Sequence, residues 1–405
     1  MLKAVNGSAQ VLLYGRNVGE LTFSQGGCTF RYTDNLIDPT HRVLGQVFEE
    51  SPRQVFREPV GLPAWFANLL PEQGSGLRRY YAARFGERYI DEARLLLILG
   101  ADLPGAAFVV PQDIPDHGVL IESPDVPVDE RGVHLSALAG AQLKMSILRE
   151  GERLTLPVHG ESGDWIAKVP TAAFPEIAVN EFLMMKWAAA VGIDVPVVDL
   201  VPAAGVPDIF DTRIDPEAVV YVVKRFDRTS DAGRVHIEDF AQVTGRLPIQ
   251  RDTGTSYDAI GVMVRELTGD DGYEEYLRRL VAMVVMGNTD AHLKNWSLQY
   301  PDGRTPQLSP AYDLVCTTFY KNVTGNLTFL LGGQQRPSAV GIEEFRTAAG
   351  VAGYPPDKAV EVVEETARQL RETWPAVRRD DLSADFCAHM ENRLTTHTLT
   401  RSARR

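Results

Sequence analysis

Asp290 and Asn295 stand five residues apart in Asn288-Thr289-Asp290-Ala291-His292-Leu293-Lys294-Asn295, directly after an apolar run with helical spacing. A further carboxylate, Asp313, follows in Ser309-Pro310-Ala311-Tyr312-Asp313. An acid, an amide five places on and a later acid are sufficient for phosphoryl transfer: Asp290 to accept or orient a hydroxyl proton, Asn295 and Asp313 to ligate Mg²⁺ through hard oxygens. Such chemistry also needs a polyphosphate held and its charge neutralised. Lys168, in the strand-like run Ile166-Ala167-Lys168-Val169, could reach the phosphates, and Glu181 on the helix that follows could pair with it. Ala139-Gly140-Ala141-Gln142-Leu143-Lys144 is the candidate phosphate-covering turn, because small residues let backbone N–H groups approach a nucleotide.

Each residue also has a plainer reading. Asp290 and Asn295 could be ordinary turn residues, Asp313 a helix cap, Lys168 a snorkelling strand lysine and Glu181 a solvated helix position. His292 beside Asp290 could suggest a metal ligand, but no second histidine stands four residues on. The ordered set outweighs these readings taken one by one: strand lysine, helix glutamate, D-x-x-x-x-N, then a carboxylate beyond a hairpin.

Those residues must be positioned by something. Val11 to Tyr14 and Val18 to Phe23, around Gly-Arg-Asn, predict a β-hairpin, and Trp65, Phe66, Leu69 and Leu70 recur at helical spacing after Pro63. Helices are expected over Tyr80 to Phe85 and Asp91 to Gly100, and Pro111 to Arg131 reads as a linker or an irregular connection. Gly140 to Leu148, Leu154 to Pro157, Trp165 to Val169, Val195 to Val201 and Val219 to Phe226 predict a sheet, with a helix from Ile177 to Val191. Beyond Asp227 the chain turns helical: Ile237 to Val243, Tyr257 to Leu267, Tyr273 to Met286, and three more near 342–349, 356–373 and 381–396. Leu277, Leu280, Val281, Val284 and Val285 share one face of the helix that Gly287 stops. Trp296 to Tyr300 and Thr305 to Leu308 form a hairpin leading from Asn295 to Asp313, and the tail from Arg393 to Arg405 reads as a frayed, solvated helix end.

Composition narrows the class. With 405 residues, 44% of them hydrophobic, the chain predicts two or three domains with sizeable cores. Its longest apolar runs, such as Leu280 to Met286, fall far below the roughly 18 residues of a membrane span. A net charge of −13 disfavours a surface that tracks nucleic acid. Cys28, Cys316 and Cys387 form no C-x-x-C pair, and the first residues show no apolar segment with a cleavage site. A cytoplasmic protein that does not engage a membrane is expected.

Leu138 to Lys144, Ile166-Ala167-Lys168-Val169-Pro170, Asn180-Glu181, Lys224-Arg225-Phe226-Asp227-Arg228, Asn288 to Asn295 and Leu308 to Asp313 together resemble the HipA family of bacterial serine/threonine kinases, toxins of HipBA-type toxin–antitoxin pairs. Trp65-Phe66-Ala67-Asn68-Leu69-Leu70-Pro71-Glu72 and the opening hairpin resemble the family's N-terminal subdomain. The resemblance implies an α+β, two-lobed protein-kinase-like fold with an extra N-terminal β-rich subdomain (1–110), a sheet lobe with one helix (111–226) and a mostly helical C-terminal lobe (227–405). It further implies that Asp290 is the catalytic base, that Asn295 and Asp313 hold Mg²⁺, and that Lys168 and the turn from Ala139 to Lys144 touch the phosphates of ATP. Lys224, Arg225 and Phe226 would receive adenine through backbone groups, and His292, Lys294 and Tyr312 would lie near the nucleotide. Expected partners are a helix-turn-helix antitoxin of the HipB kind, operator DNA through that antitoxin, and a protein substrate such as an aminoacyl-tRNA synthetase, whose modification would arrest growth.

One position departs from the family pattern. Ala137 stands where an autophosphorylated serine is expected, leaving Ser136, one residue off, as the candidate for self-modification. Two rival readings are a small-molecule kinase of the aminoglycoside or choline type and a non-catalytic scaffold bound to a DNA-bound repressor.

Overall fold

The computed structural model describes residues 4–34, 38, 40–114, 144–151, 153–155, 163–171, 173–205, 218–231, 233–378 and 382–402. Ser136, the turn from Ala139 to Leu143 and most of the proline-bearing connection after 114 lie outside the described residues. The chain forms two compact units. Met1–Ala173, Val201–Pro248 and Tyr300–Thr305 make the first; Phe174–Leu200, Ile249–Gln299 and Pro306–Arg405 make the second.

The first unit opens with strands β1 (Gly7–Leu13), β2 (Arg16–Ser24) and β3 (Gly27–Tyr32). Tyr14 and Gly15, with φ of 50° and 78°, form the two-residue turn between β1 and β2, so the turn sits one residue earlier than Gly-Arg-Asn suggests. Positive φ at both central positions matches the right-handed twist of paired strands, and this places Arg16 and Asn17 in the ladder. Helix α1 (Gln46–Glu50), strand β4 (Val55–Glu58) and helix α2 (Ala64–Ala67) follow. The helical stripe expected from Trp65 to Leu70 is a single turn, because the Asn68 amide donates to the Ala64 carbonyl at 2.9 Å and to Arg246 O at 2.7 Å. Leu69 and Leu70 are nonetheless buried. Helices α3 (Gly76–Arg84) and α4 (Glu92–Leu99) lead to β5 (Ala107–Pro111), which completes an antiparallel sheet in the order β4-β3-β2-β1-β5. Phe30, Phe48, Trp65 and Phe66 pack its core, with Phe30 and Phe66 centroids 4.7 Å apart.

A second sheet carries Lys144 and Lys168. It contains β6 (Lys144–Glu150), β7 (Arg153–Thr155) and β8 (Trp165–Lys168). The chain then leaves for the second unit as helix α5 (Ile177–Ala190), ended by Gly192 at φ 81°, and returns as β9 (Val198–Pro202) and β10 (Val219–Lys224). The order is β7-β6-β8-β10-β9, over a core of Ile147, Ala167, Val201, Val220 and Val222. The helix expected over Ile237 to Val243 divides into strand β11 (His236–Asp239) and a short helix α6 (Phe240–Val243). Asp239 decides the break: its carboxylate accepts the Gln242 N–H while the Gln242 side chain accepts from Asp239 N, a capping box that starts the helix there.

In the second unit α7 (Tyr257–Met286) is two helices joined at Gly269, whose φ of 75° and ψ of −170° are open to glycine alone. Its last two turns are buried all round rather than on one face, because α7 packs against α8 (Ile342–Val351), α9 (Pro356–Val377) and α5. Strands β12 (Ser297–Tyr300) and β13 (Gln307–Leu308) form the hairpin beyond Asn295. The C-terminal tail is built, not frayed. Helix α10 (Ala384–Thr396) is followed by α11 (Thr398–Ser402), with His397, Leu399 and Thr400 buried. Among the described residues no helix is long and apolar enough to cross a membrane.

Candidate active site

The second unit builds its part of the site from the end of α7. Gly287 caps that helix at φ 81°, where a Cβ would run into Thr318 Oγ1 and the Arg393 guanidinium. Arg393 from α10 donates to the carbonyls of Val284 (2.7 Å) and Val285 (3.1 Å), satisfying the last turn of α7 with a cation where the helix dipole favours one.

The loop that follows is held mainly through its backbone. Asn288 Oδ1 accepts the Asp290 N–H at 3.0 Å, and its Nδ2 donates to the Asp313 carbonyl at 3.1 Å. Thr317 Oγ1 accepts the Thr289 N–H at 2.7 Å and donates to Gly287 O at 3.1 Å; Thr328 Oγ1 donates to Thr289 O at 2.9 Å. Asn295 Nδ2 donates to the Asp290 carbonyl at 2.9 Å, so Asp290 is gripped on its N–H and its C=O while its side chain stands at the surface. His292 is buried, its N–H donating to Asp290 O at 2.8 Å. The Tyr312 hydroxyl donates to Lys294 O at 2.8 Å and takes the Ser297 hydroxyl at 2.5 Å, tying the loop to the segment before Asp313.

Asn288, Asn295, Tyr312 and Asp313 line one cleft together with Arg279. Because the Asn295 nitrogen is committed to Asp290 O, its oxygen is the atom left to face a ligand. Asp313 has φ 55°, a left-handed backbone that costs a non-glycine residue about 1 kcal/mol and concentrates at functional sites. An amide oxygen and a carboxylate in one cleft are hard donors of the kind Mg²⁺ takes alongside substrate phosphates, so these residues fit the ion.

The first unit holds the cationic residues. Lys168 is 4% exposed, and its Nζ lies 5.5 Å from the centroid of the buried Tyr221 ring. Lys144 stands directly opposite Lys168 in the β6–β8 ladder. Directly opposed residues share a face of the sheet. Glu181, expected to pair with Lys168, is 2% exposed on α5 in the second unit, which excludes the plainer reading of a solvated helix position.

Arg225, expected to receive adenine through backbone groups, has its side chain taken up within the first unit. Its N–H donates to Asp164 O at 2.9 Å, and its guanidinium is buried against Asp227 (2.8 and 2.9 Å) and Asp102 (2.9 Å). Burial opposes the Asp227 charge, but Arg225 and then Arg228 outweigh it and hold the carboxyl down at about 2. Arg225 is a structural residue. Lys224 and Phe226 beside it are half-buried. Sequence reasoning gave no role to Asn288, Thr317 or Arg393; an Asn two residues before an acid is a recognisable turn signal, whereas the other two act across long stretches of chain.

These elements define an α+β protein with the fold of a solved kinase toxin. The described structure resembles HipA in its complex with HipB and operator DNA from Shewanella oneidensis, with a TM-score of 0.71 over 98% of this chain and 96% of that one, at 20% identity. Residues 9–109 match the HipA N-terminal domain and residues 136–374 the HipA-like C-terminal domain, and the chain belongs to the HipA family. It is 35% identical, over 96% of both chains, to a protein of Sinorhizobium fredii named Putative kinase Y4dM. It is 24% identical to the serine/threonine-protein kinase toxin HipA of Shewanella oneidensis, over 82% of this chain and 81% of that one.

Proposed function

We propose that this protein is an ATP-dependent protein serine/threonine kinase and the toxin of a toxin–antitoxin pair. The observation that carries this is the cleft in which Asn295 and Asp313 meet, with Asp290 gripped on its N–H by Asn288 and on its C=O by Asn295. Asp290 accepts the proton of the attacking protein hydroxyl. Lys168 and Lys144 receive the phosphates, and Glu181 pairs with Lys168. Mg²⁺ held by Asn295 Oδ1 and the Asp313 carboxylate would neutralise charge on the transferring phosphoryl group. A HipB-like helix-turn-helix partner is the expected antitoxin, by likeness to the Shewanella complex, and a translation protein is the expected substrate. Ser136 is the candidate for self-modification, checked by mapping phosphate on the protein after incubation with ATP.

The reading is tested by incubating wild type and Asp290→Asn with labelled ATP and cell-lysate protein. Transfer to protein is expected from the wild type alone, with both proteins showing the same nucleotide-induced thermal shift. Transfer by the variant, or transfer by the wild type to small metabolites only, would overturn it.

A further inference from the structure

Asn180 stands beside Glu181 on α5 and is fully buried. Its amide takes both polar groups of a single residue far along the chain: Nδ2 donates to the Cys316 carbonyl at 3.1 Å, and Oδ1 accepts the Cys316 N–H at 2.9 Å. The second Nδ2 hydrogen reaches the Tyr320 hydroxyl at 3.3 Å, and that hydroxyl donates to Pro175 O at 3.0 Å, just ahead of α5. Two donors and an acceptor are thus used at once, a set that a carboxylate or a hydroxyl cannot supply.

The place of Cys316 gives this contact its meaning. It lies three residues after Asp313, and the next residue, Thr317, holds the Thr289 N–H and the Gly287 carbonyl. One buried amide therefore connects the helix carrying Glu181 to the segments carrying Asp313 and Asp290. Asp313 adopts its left-handed φ of 55° between two such anchors: Asn288 on its own carbonyl and Asn180 on Cys316. With the second anchor gone, the side beyond Asp313 is held only from Thr317 onward, and its backbone angle is freer to relax and carry the carboxylate away from Asn295.

We propose that Asn180 is a positioning residue that clamps the Cys316 peptide groups to α5 and thereby sets Asp313 for metal-dependent nucleotide binding. The proposal rests on the phosphotransfer reading above, but its test separates the two. Full-length wild type, Asn180→Ser and Asn180→Asp are titrated calorimetrically with a non-hydrolysable ATP analogue, once with Mg²⁺ and once with EDTA, and amide exchange is followed at residues 313–320.

The expected result is weakening of about tenfold with Mg²⁺, the scale of one lost buried hydrogen bond, against less than about twofold in EDTA. The Cys316 amide should exchange faster in both variants. Added to Asp313→Asn, either substitution should weaken Mg²⁺-dependent binding no further, because it acts through the same carboxylate. Equal weakening in both conditions, additive losses with Asp313→Asn, or unchanged exchange at Cys316 would overturn the clamp. If the wild type bound no nucleotide, the phosphotransfer reading would fall, and the clamp on Cys316 would be judged by exchange alone. Should one substitution prevent folding, the other and Tyr320→Phe, which removes the third hydrogen bond of Asn180 together with the Tyr320 bond to Pro175 O but leaves both bonds to Cys316, are read in its place.

Discussion

The turn from Arg225 to Arg228 and the loop from Asn288 to Asn295 are both polar and both follow a buried apolar element, yet they use their polar groups in opposite ways. In the turn, charges face charges: Asp227 accepts from Arg225 at 2.8 Å and from Arg228 at 2.7 Å, and both arginines reach Asp102 at 2.9 Å. In the loop, amides and hydroxyls fix the peptide groups, and the acid they frame stands exposed. A carboxylate neutralised by buried neighbours has its role filled by the fold. One whose backbone is held by amides, with its side chain at the surface, is fixed in place by its peptide groups rather than by buried counter-charges. Sequence alone made both segments look like parts of a nucleotide site, and the partners of each carboxylate separate them.

That contrast can be broken by removing one acid from each place. Asp290→Asn should lower phosphoryl transfer by about 10³-fold or more, the scale of a lost general base, while the melting temperature stays close to wild type. Comparable activity would place the base elsewhere. Asp227→Asn should act in the reverse sense, destabilising the fold by about 3 kcal/mol because two buried guanidinium groups lose their more buried counter-charge and are left to share Asp102. Urea unfolding monitored by circular dichroism would read this, and a loss under 1 kcal/mol would mean that the cluster is solvated.

A third acid sharpens the comparison, since it is buried without a cation. Glu238 accepts hydrogen bonds from Tyr300, from Gln46 N–H at 3.0 Å and from Trp65 Nε1 at 3.3 Å. Burial nonetheless pushes its carboxyl from an ordinary 4.5 up to about 7. Between those values the folded state binds more protons than the unfolded one, so stability falls as pH rises through the window and levels off above about 7. Glu238→Gln should remove that slope, on the order of 3 kcal/mol between pH 4.5 and 7 by the shift in its ionisation. Neighbouring His236, which burial pushes down to about 4, slopes the other way below its ordinary value, so the wild type and variant must be compared at each pH. The smallest effect belongs to Arg393→Gln, which removes the cation from the end of α7 and should cost about 1 kcal/mol by denaturant melts. A larger loss would mean that α10 holds the loop as well as capping the helix.

Local features were legible. The D-x-x-x-x-N spacing, the stop at Gly287, the hairpin from Trp296 to Leu308 and the break near Gly269 each depend on residues within a few positions of one another. Two expectations were overturned by side-chain contacts with backbone. Asn68 turned a helical stripe into one turn by bonding Arg246 O far along the chain, and Asp239 delayed a helix by accepting the Gln242 N–H three residues on. The tail looked frayed because its arginines suggested solvent, whereas Arg393 is used at the end of α7 and His397 Nε2 donates to the Pro337 carbonyl at 2.8 Å.

By itself the sequence determined the kind of chemistry and the order of the elements, because residue type, helix period and turn residues act over a few neighbours. Only the tertiary structure decided which polar groups are consumed by the fold and which are held ready, because that depends on partners such as Asn180 and Cys316, separated by 136 residues and joined by two hydrogen bonds.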